Sequence, residues 1–239
     1  VAETAPTGGY PKWDYELYPR TLARDDFWGQ VRRTINGRRI SEREVVELVR
    51  HLRRVLELRT DDVLLDLGCG NGALSSRLFD QCDAYVGVDR SEYLIEVARE
   101  NFARLPRYQF LHGDVVRFAA EVAAPERYSK AVCYAVIQFL PPDQVEELVR
   151  LLRARFTNLS LLLLGNVPDR GKADVFFHER DPGDELDRYE SQIGRWWSPT
   201  EVTELANRCG WVASFVQMPE RVFNTEYRFD AILRPAEAR

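Results

Sequence analysis

Between residues 42 and 56 the apolar side chains fall at Val45, Val46, Leu48, Val49, Leu52, Val55 and Leu56, the spacing of a helix that buries one face. Ser41-x-x-Glu44 just ahead of them is a capping box, which fixes where that helix starts. Beyond it the pattern changes to short continuous apolar runs at 63–67, 85–88, 108–112, 131–136 and 159–164, each bounded by polar or turn-forming residues and each read as a strand. Amphipathic stretches at 73–80, 92–105 and 142–155 separate several of these runs and predict helices. Strand and helix in this alternation predict an α/β fold, a mostly parallel sheet covered by helices on both faces. Ser198-Pro199-Thr200-Glu201 opens a last helix with serine at the cap and proline at the first position. Runs at 211–217 and 226–233 follow it with no helix between them, so these two strands pair antiparallel.

Two regions lack a period. Residues 1–40 carry Tyr10, Trp13, Tyr15, Tyr18, Phe27 and Trp28 among several arginines, and read as an aromatic, basic extension that is either a lid or a tail packed on the surface. Residues 41–239 form the main domain. Within it, 165–197 is long, charged and broken by Pro168, Gly171, Pro182, Gly183 and Gly194; a connection of that length in a compact domain points to an active-site loop.

Composition narrows the classes. At 239 residues, 45% hydrophobic and 30% charged, the chain is an ordinary folded protein with a sizeable core, read as one domain. Its net charge of −5 argues against a protein that grips duplex nucleic acid by neutralising phosphates. Arg32, Arg33, Arg38 and Arg39 are read as a solvated face or a phosphate contact. The longest apolar run, 159–165, is far too short to cross a bilayer, so no membrane partner is expected. Cys69, Cys82, Cys133 and Cys209 show no C-x-x-C spacing, which suggests neither zinc nor a disulfide framework but small core residues of a reducing, cytoplasmic compartment. Composition leaves the oligomeric state open.

The candidate chemistry lies in Val63-Leu-Leu-Asp-Leu-Gly-Cys-Gly-Asn-Gly72. A buried strand that runs into a turn with glycine at alternate positions removes Cβ atoms and lets a ligand reach backbone N–H and C=O groups. Asp66 near the strand end suits a cationic ligand group better than a phosphate. Val86-Gly-Val-Asp89 is a second strand ending in a carboxylate, at a distance along the chain suited to gripping ribose hydroxyls, and Gly113-Asp114 ends a third. Three acids at the carboxyl ends of three successive strands describe a nucleoside pocket. Taken singly, Asp66 could merely hold its own turn and Asp89 could cap the helix that begins near Ser91. A nicotinamide-dependent Rossmann oxidoreductase is an alternative; its G-x-G-x-x-G fingerprint wants glycine at position 73, where this chain has Ala73, a replacement some variants tolerate. A non-catalytic nucleoside-binding module is another.

These stretches, together with Val132-Cys-Tyr-Ala-Val-Ile-Gln-Phe-Leu140, resemble the class I S-adenosylmethionine-dependent methyltransferases over about residues 45–165, and the final strand pair extends the likeness to the end. The resemblance implies a Rossmann-like, doubly wound sheet of seven strands, the last inserted antiparallel, with S-adenosyl-L-methionine as cofactor. It sets the methionine moiety against Gly68, Cys69 and Gly70 with Asp66 supporting the loop. It gives Asp89, with Arg90 beside it, the ribose; Asp114 and Val115 the adenine; and Tyr134 with Ala135 the wall beside the reactive methyl.

For the acceptor the residues say less. His51 is read as a surface residue on the charged side of its helix and His112 as a packed neighbour of the cofactor site. His178, with Glu179 second, is the candidate general base, an aid that an oxygen acceptor would use. No spacing specifies a metal. The fourth strand lacks the Asn-Pro-Pro-Tyr or Asp-Pro-Pro-Tyr run of amino-methylating family members, which argues against planar-amine targets. Gly165-Asn-Val-Pro-Asp169, Phe176-Phe177 and Trp196-Trp197-Ser198-Pro199 resemble methyltransferases of polysaccharide and other secondary biosynthesis. That second likeness implies O- or N-methylation of a small polar acceptor, a sugar or sugar-derived precursor. Tyr18, Trp28, Arg32, Tyr189 and Arg195 are the candidate walls around it.

Overall fold

A computed structural model describes residues 14–35, 38–178, 180–220, 222 and 225–237. The N-terminal segment holds α1 (Asp14–Leu17), a 3₁₀ turn, α2 (Phe27–Gln30) and a small hairpin of β1 (Thr34–Ile35) and β2 (Arg38–Arg39). The main domain begins with α3 (Glu42–Leu56) and continues through β3 (Val63–Leu67), β4 (Ala84–Asp89), α4 (Glu92–Phe102), β5 (Tyr108–His112), α5 (Val115–Glu121), β6 (Lys130–Tyr134), α6 (Pro142–Arg155) and β7 (Leu161–Pro168). The short α7 (Ala173–Phe177), then α8 (Pro199–Arg208), β8 (Trp211–Gln217) and β9 (Arg228–Pro235) complete it.

The seven main strands form one sheet in the order β5-β4-β3-β6-β7-β9-β8. Pairings from β5 to β7 are parallel, and β9 lies antiparallel between β7 and β8. The Rossmann-like, doubly wound α/β architecture expected from the sequence is the architecture found. One face packs against α5, α6 and α8 through Val145, Leu148, Leu152, Val202 and Leu205. The other packs against α3 through Val45, Leu48, Leu52 and Val55, joined by Phe79, Ile95 and Ala98. Parallel strands buried on both faces need these continuous apolar runs.

Several local readings change. The stretch read as a helix over 73–80 is a 3₁₀ helix, Ser75–Gln81, because only Leu78 and Phe79 turn large apolar side chains inward, too few for an α-helical stripe. The two-turn α5 has no counterpart in the sequence reading; Asp114 caps it by accepting from the N–H groups of Val116 and Arg117, each at 2.9 Å. Val46 is 43% exposed, whereas His51 takes the buried place on the same helix. The expected loop at 165 starts later, since β7 runs on to Pro168 through a bulge where Asn166 adopts φ +57°. The rest of that connection is folded back on itself: Trp197 donates to Pro168 O at 2.9 Å, Arg170 to Trp197 O at 3.0 Å, and Trp196 packs with Phe177 and Tyr227.

Candidate active site

Strands β3, β4, β5 and β6 end on one edge of the sheet, and a cavity of about 1040 Å³ opens there. Asp66, Asp89 and Asp114 all line it, as do Gly68, Cys69 and Gly70 of the turn after β3, and Arg90, Val115, Tyr134 and Ala135. The cavity is thus the common place to which the topology brings every residue that the resemblance assigned to the cofactor.

The turn is built by glycine for steric reasons. Gly68 and Gly70 have φ of +84° and +56°, and a Cβ on Gly68 would overlap Val136 Cγ2. On Gly72 (φ +74°) a Cβ would lie 2.5 Å from Phe110 Cε1. Asp89 Oδ2 accepts from Gly70 N at 2.8 Å while Oδ1 accepts from Ser91 N at 2.9 Å, so the second acid holds the glycine turn to the end of β4. Ser91 is the true cap of α4: its Oγ accepts from Leu94 N at 3.2 Å and donates to Glu16 Oε2 at 2.7 Å. Asp66 is buried and accepts from Ser75 Oγ and, at 2.9 Å, from Tyr85 Oη. Burial pushes its carboxyl from the ordinary 3.8 up to about 6, against the pull of those two hydroxyls and with a further push from the Asp89 charge. Burial likewise raises Asp89 despite the two N–H groups it accepts. Asp114 spends Oδ1 on the cap of α5, and among the described residues no such bond engages its Oδ2.

The far half of the cavity has different chemistry. Leu48, Leu52, Phe139, Phe176, Met218 and Val222 bring apolar surface; Tyr15, Tyr18, Tyr189 and Tyr227 bring aromatic surface with polar tips. Arg33 and Arg228 are cations on its wall. Tyr134 is 7% exposed, and although the Arg33 guanidinium lies beside its hydroxyl, that hydroxyl makes no well-aligned hydrogen bond among the described residues; Gln138 Oε1, also on the wall and buried, makes none either. Burial holds the Tyr134 phenol well above the ordinary tyrosine range, so it serves as a donor and not as a base.

Of the residues proposed for acceptor binding, Tyr18, Arg32 and Tyr189 line the cavity, with the Arg32 guanidinium 4.4 Å from the Tyr18 ring centroid. Trp28 and Arg195 are elsewhere. Trp28 packs on the core beside α3, drawn in by its apolar area. Arg195 pins the folded-back connection, 2.7 Å from Glu201 and 4.8 Å from the Trp197 ring centroid. His178 reaches the cavity wall, exposed and at φ +55°; Glu179 lies outside the described residues. His112 is exposed and donates to Arg90 O at 3.1 Å. His51, read as a surface residue, is buried against Asp230, because α3 turns it toward the one carboxylate inside β9. Arg33, Arg228 and Gln138 had no place in the sequence reading of the site. Their signal is tertiary, since Arg33 belonged to a run of arginines read as a solvated face or a phosphate contact and Arg228 to the last strand.

A family model described as "Methyltransferase domain" matches residues 64–155. An uncharacterized methyltransferase of Schizosaccharomyces pombe is 43% identical over 56 residues, 23% of this chain and 22% of that protein. A ribosomal RNA small subunit methyltransferase A of Geobacter metallireducens is 36% identical over 62 residues, 26% of this chain and 22% of the relative. The chain therefore spans about a fifth of the length of these curated relatives. Among solved structures, the methyltransferase domain of bacterial CtHen1 superposes with a TM-score of 0.57 at 19% identity, over 81% of this chain and 98% of that one. The magnesium protoporphyrin IX methyltransferase of Synechocystis PCC 6803, with bound SAH, gives 0.58 at 17% identity, over 82% and 83%.

Residues 64–155 match a methyltransferase domain, and the chain around them has the fold of the class I S-adenosylmethionine-dependent methyltransferases. S-adenosyl-L-methionine is the cofactor of that class, and the alternative of a nicotinamide-dependent oxidoreductase gives way to it. The residues present suit such a ligand, since Asp66, Asp89 and Asp114 line one cavity together with the glycine turn, whose backbone bends at positive φ where a side chain would be strained. Among the described residues no cluster of histidine, cysteine and acidic side chains could hold a metal ion, and no helix is long and apolar enough to cross a membrane.

Proposed function

We propose that the chain transfers a methyl group to an oxygen or nitrogen atom of a small molecule held in the far half of the cavity. The observation that carries this reading is that one cavity is lined both by Asp89 and Asp114 and by Tyr134, Tyr18 and Tyr189. A volume of about 1040 Å³ is ample for a nucleoside-sized ligand and a second molecule beside it.

Gly68 and Gly70 would offer backbone carbonyls to the methionine moiety, Asp89 and Arg90 would serve the ribose, and Asp114 with Val115 the adenine. When bound, S-adenosylmethionine supplies an electrophilic methyl on a sulfonium centre. The protein's work is alignment, worth effective molarities of about 10⁵ M or more when reacting groups are held near attack geometry. Tyr15 and Tyr18 of the N-terminal segment and Phe176 and Tyr189 of the folded-back connection all line the cavity, which suits exclusion of water. His178 on the wall is the candidate base for an oxygen acceptor. A small-molecule acceptor accords with the net charge of −5, which opposes binding of duplex nucleic acid. The sugar or sugar-derived precursor suggested by the sequence belongs to this class.

The test pairs binding with transfer. Calorimetry on the Asp89→Ala variant should show S-adenosylhomocysteine bound about 100-fold more weakly, the loss of two charge-assisted bonds around the turn. Labelled donor mixed with phenols, sugars and amines should pass label to at least one of them. Unchanged affinity in the variant would remove the ribose assignment, and a donor that binds without transfer to any small molecule would leave a nucleoside-binding module.

A further inference from the structure

Arg33 and Arg228 lie on the cavity wall and differ there from the arginines that pair with carboxylates. Arg24, Arg53, Arg170, Arg195 and Arg208 each meet a carboxylate. Among the described residues no salt bridge engages Arg33 or Arg228, although both sit on the cavity wall. Arg228, on β9, is 7% exposed and donates from Nη1 to Asn166 O at 2.8 Å. Its guanidinium lies 5.3 Å from the centroid of the neighbouring Tyr227 ring. Arg33 is half-buried, with its guanidinium 5.0 Å from the Tyr134 ring centroid. Its backbone is fixed on both sides: its N–H donates to Trp28 O at 2.8 Å and its carbonyl accepts from Ile40 N at 3.1 Å.

Burial lowers both guanidiniums from their ordinary range, and the Arg228 charge adds to the effect on Arg33; Tyr134 and Asp66 pull Arg33 the other way. The acids nearby are otherwise engaged. Asp66 is held by Ser75 and Tyr85, Glu44 closes the capping box of α3, and Glu226 is exposed at the rim; Glu190 is half-buried on the wall without a salt bridge to either arginine. Two desolvated cations without a counter-ion are costly, and an anion between them would relieve both. Tyr134 adds a donor beside Arg33: a phenol more than nine-tenths buried, facing the same cavity, whose hydroxyl makes no well-aligned hydrogen bond among the described residues.

We propose that the acceptor is anchored by a compact oxyanion, a carboxylate or a phosphate, received by Arg33 and Arg228 with the Tyr134 hydroxyl as an additional donor, while its body lies against the apolar wall of Leu48, Leu52, Phe176 and Met218. This rests on the methyltransferase reading and names the chemical class of its acceptor. A sugar-derived acceptor would then be an acidic one. The anion is the handle, not the methylated atom.

The experiment titrates protein saturated with S-adenosylhomocysteine by calorimetry, using three matched pairs: 4-hydroxybenzoate and its methyl ester, phenyl phosphate and phenol, glucuronate and glucose. At least one anion should bind about ten-fold or more tightly than its neutral partner, the worth of one charge-assisted contact. Preference confined to benzoate and glucuronate assigns a carboxylate; preference confined to phenyl phosphate assigns a phosphate. Arg33→Met and Arg228→Met should each abolish the preference, with Arg33→Lys retaining part of it and S-adenosylhomocysteine affinity unchanged throughout. Melting curves show whether Arg228→Met folds; Arg33, half-buried, decides the matter if it does not. Equal binding of anion and neutral partner, binding of no anion, or a preference that survives Arg33→Met would overturn the proposal. Failure of S-adenosylhomocysteine to bind while anions still do would instead sink the methyltransferase reading.

Discussion

His51 Nε2 lies 2.6 Å from Asp230 Oδ2, and both side chains are wholly buried. Arg54 Nη2 approaches His51 Nδ1 at 3.1 Å, and since arginine only donates, Nδ1 accepts and Nε2 carries the hydrogen that Asp230 receives. Asp230 Oδ1 accepts in turn from Asn166 N at 2.7 Å, at the bulge of β7 whose carbonyl receives Arg228. One histidine on α3 thus supports the backbone bend that positions a cavity arginine.

His51→Ala would leave the Asp230 carboxylate buried without its main donor, at a cost of about 3–5 kcal/mol. His51→Gln, which retains an N–H donor, should lose less. Urea denaturation of the three proteins checks the order; equal midpoints for wild type and His51→Ala would show that the pair holds nothing together.

The sheet was legible in the sequence because parallel strands buried on both faces are mostly apolar, as 63–67 is apart from Asp66 and 131–134 is throughout, and the helical stretches between such runs mark them as strands. The glycine turn and the three acids were legible for a related reason, as local sequence sets both the turn and the strand end. His51, Arg228 and Arg33 were not legible. Each is a polar residue whose role depends on a partner far along the chain, as Asp230 is to His51. A helix face reads such a residue as solvated when only its own element is considered. Trp28 and Arg195 misled in the opposite sense, because an aromatic or an arginine suits a core or a salt bridge as well as a binding wall.

Asn71, inside the glycine turn, fastens the N-terminal segment: its Nδ2 donates to Phe27 O at 2.8 Å and to Gln30 Oε1 at 2.9 Å. Both Gln30 and Asn71 are buried, so Asn71→Ala strands two acceptors at about 1–3 kcal/mol each. Limited proteolysis should then cut within residues 14–35 sooner than in the wild type, with the sheet core intact. Identical cleavage rates would show that other contacts, such as Arg24 with Glu100, suffice to hold the segment.

Gly68→Ala meets two separate penalties, a positive φ of +84° and overlap with Val136. Backbone strain of this kind costs about 1–3 kcal/mol, and the clash adds to it. Combining Gly68→Ala with Val136→Ala should recover the steric part alone, so a double-mutant cycle will show favourable coupling while affinity for S-adenosylhomocysteine stays below that of the wild type. Additive losses would mean that the overlap is relieved by movement elsewhere.

Asp66 makes stability depend on pH in the sense opposite to that of a salt-bridged acid. Its folded carboxyl titrates at about 6 against an ordinary 3.8, so between these values the native state holds a proton that the unfolded chain has released. Stability from this group is therefore greatest below about pH 4 and declines as pH climbs through about 6, by about 3 kcal/mol in all. Asp66→Asn keeps an oxygen for Ser75 and Tyr85 but cannot ionise, so the variant should gain on the wild type as pH rises from 4 to 7. A cationic ligand in the cavity favours the carboxylate, so wild-type affinity for S-adenosylmethionine should weaken on acidification below about pH 6 and that of the variant should not. Denaturation and calorimetry at pH 4.5, 6 and 7.5 separate the two effects, and parallel curves for both proteins would mean that Asp66 titrates as an ordinary acid and senses no charge in the cavity.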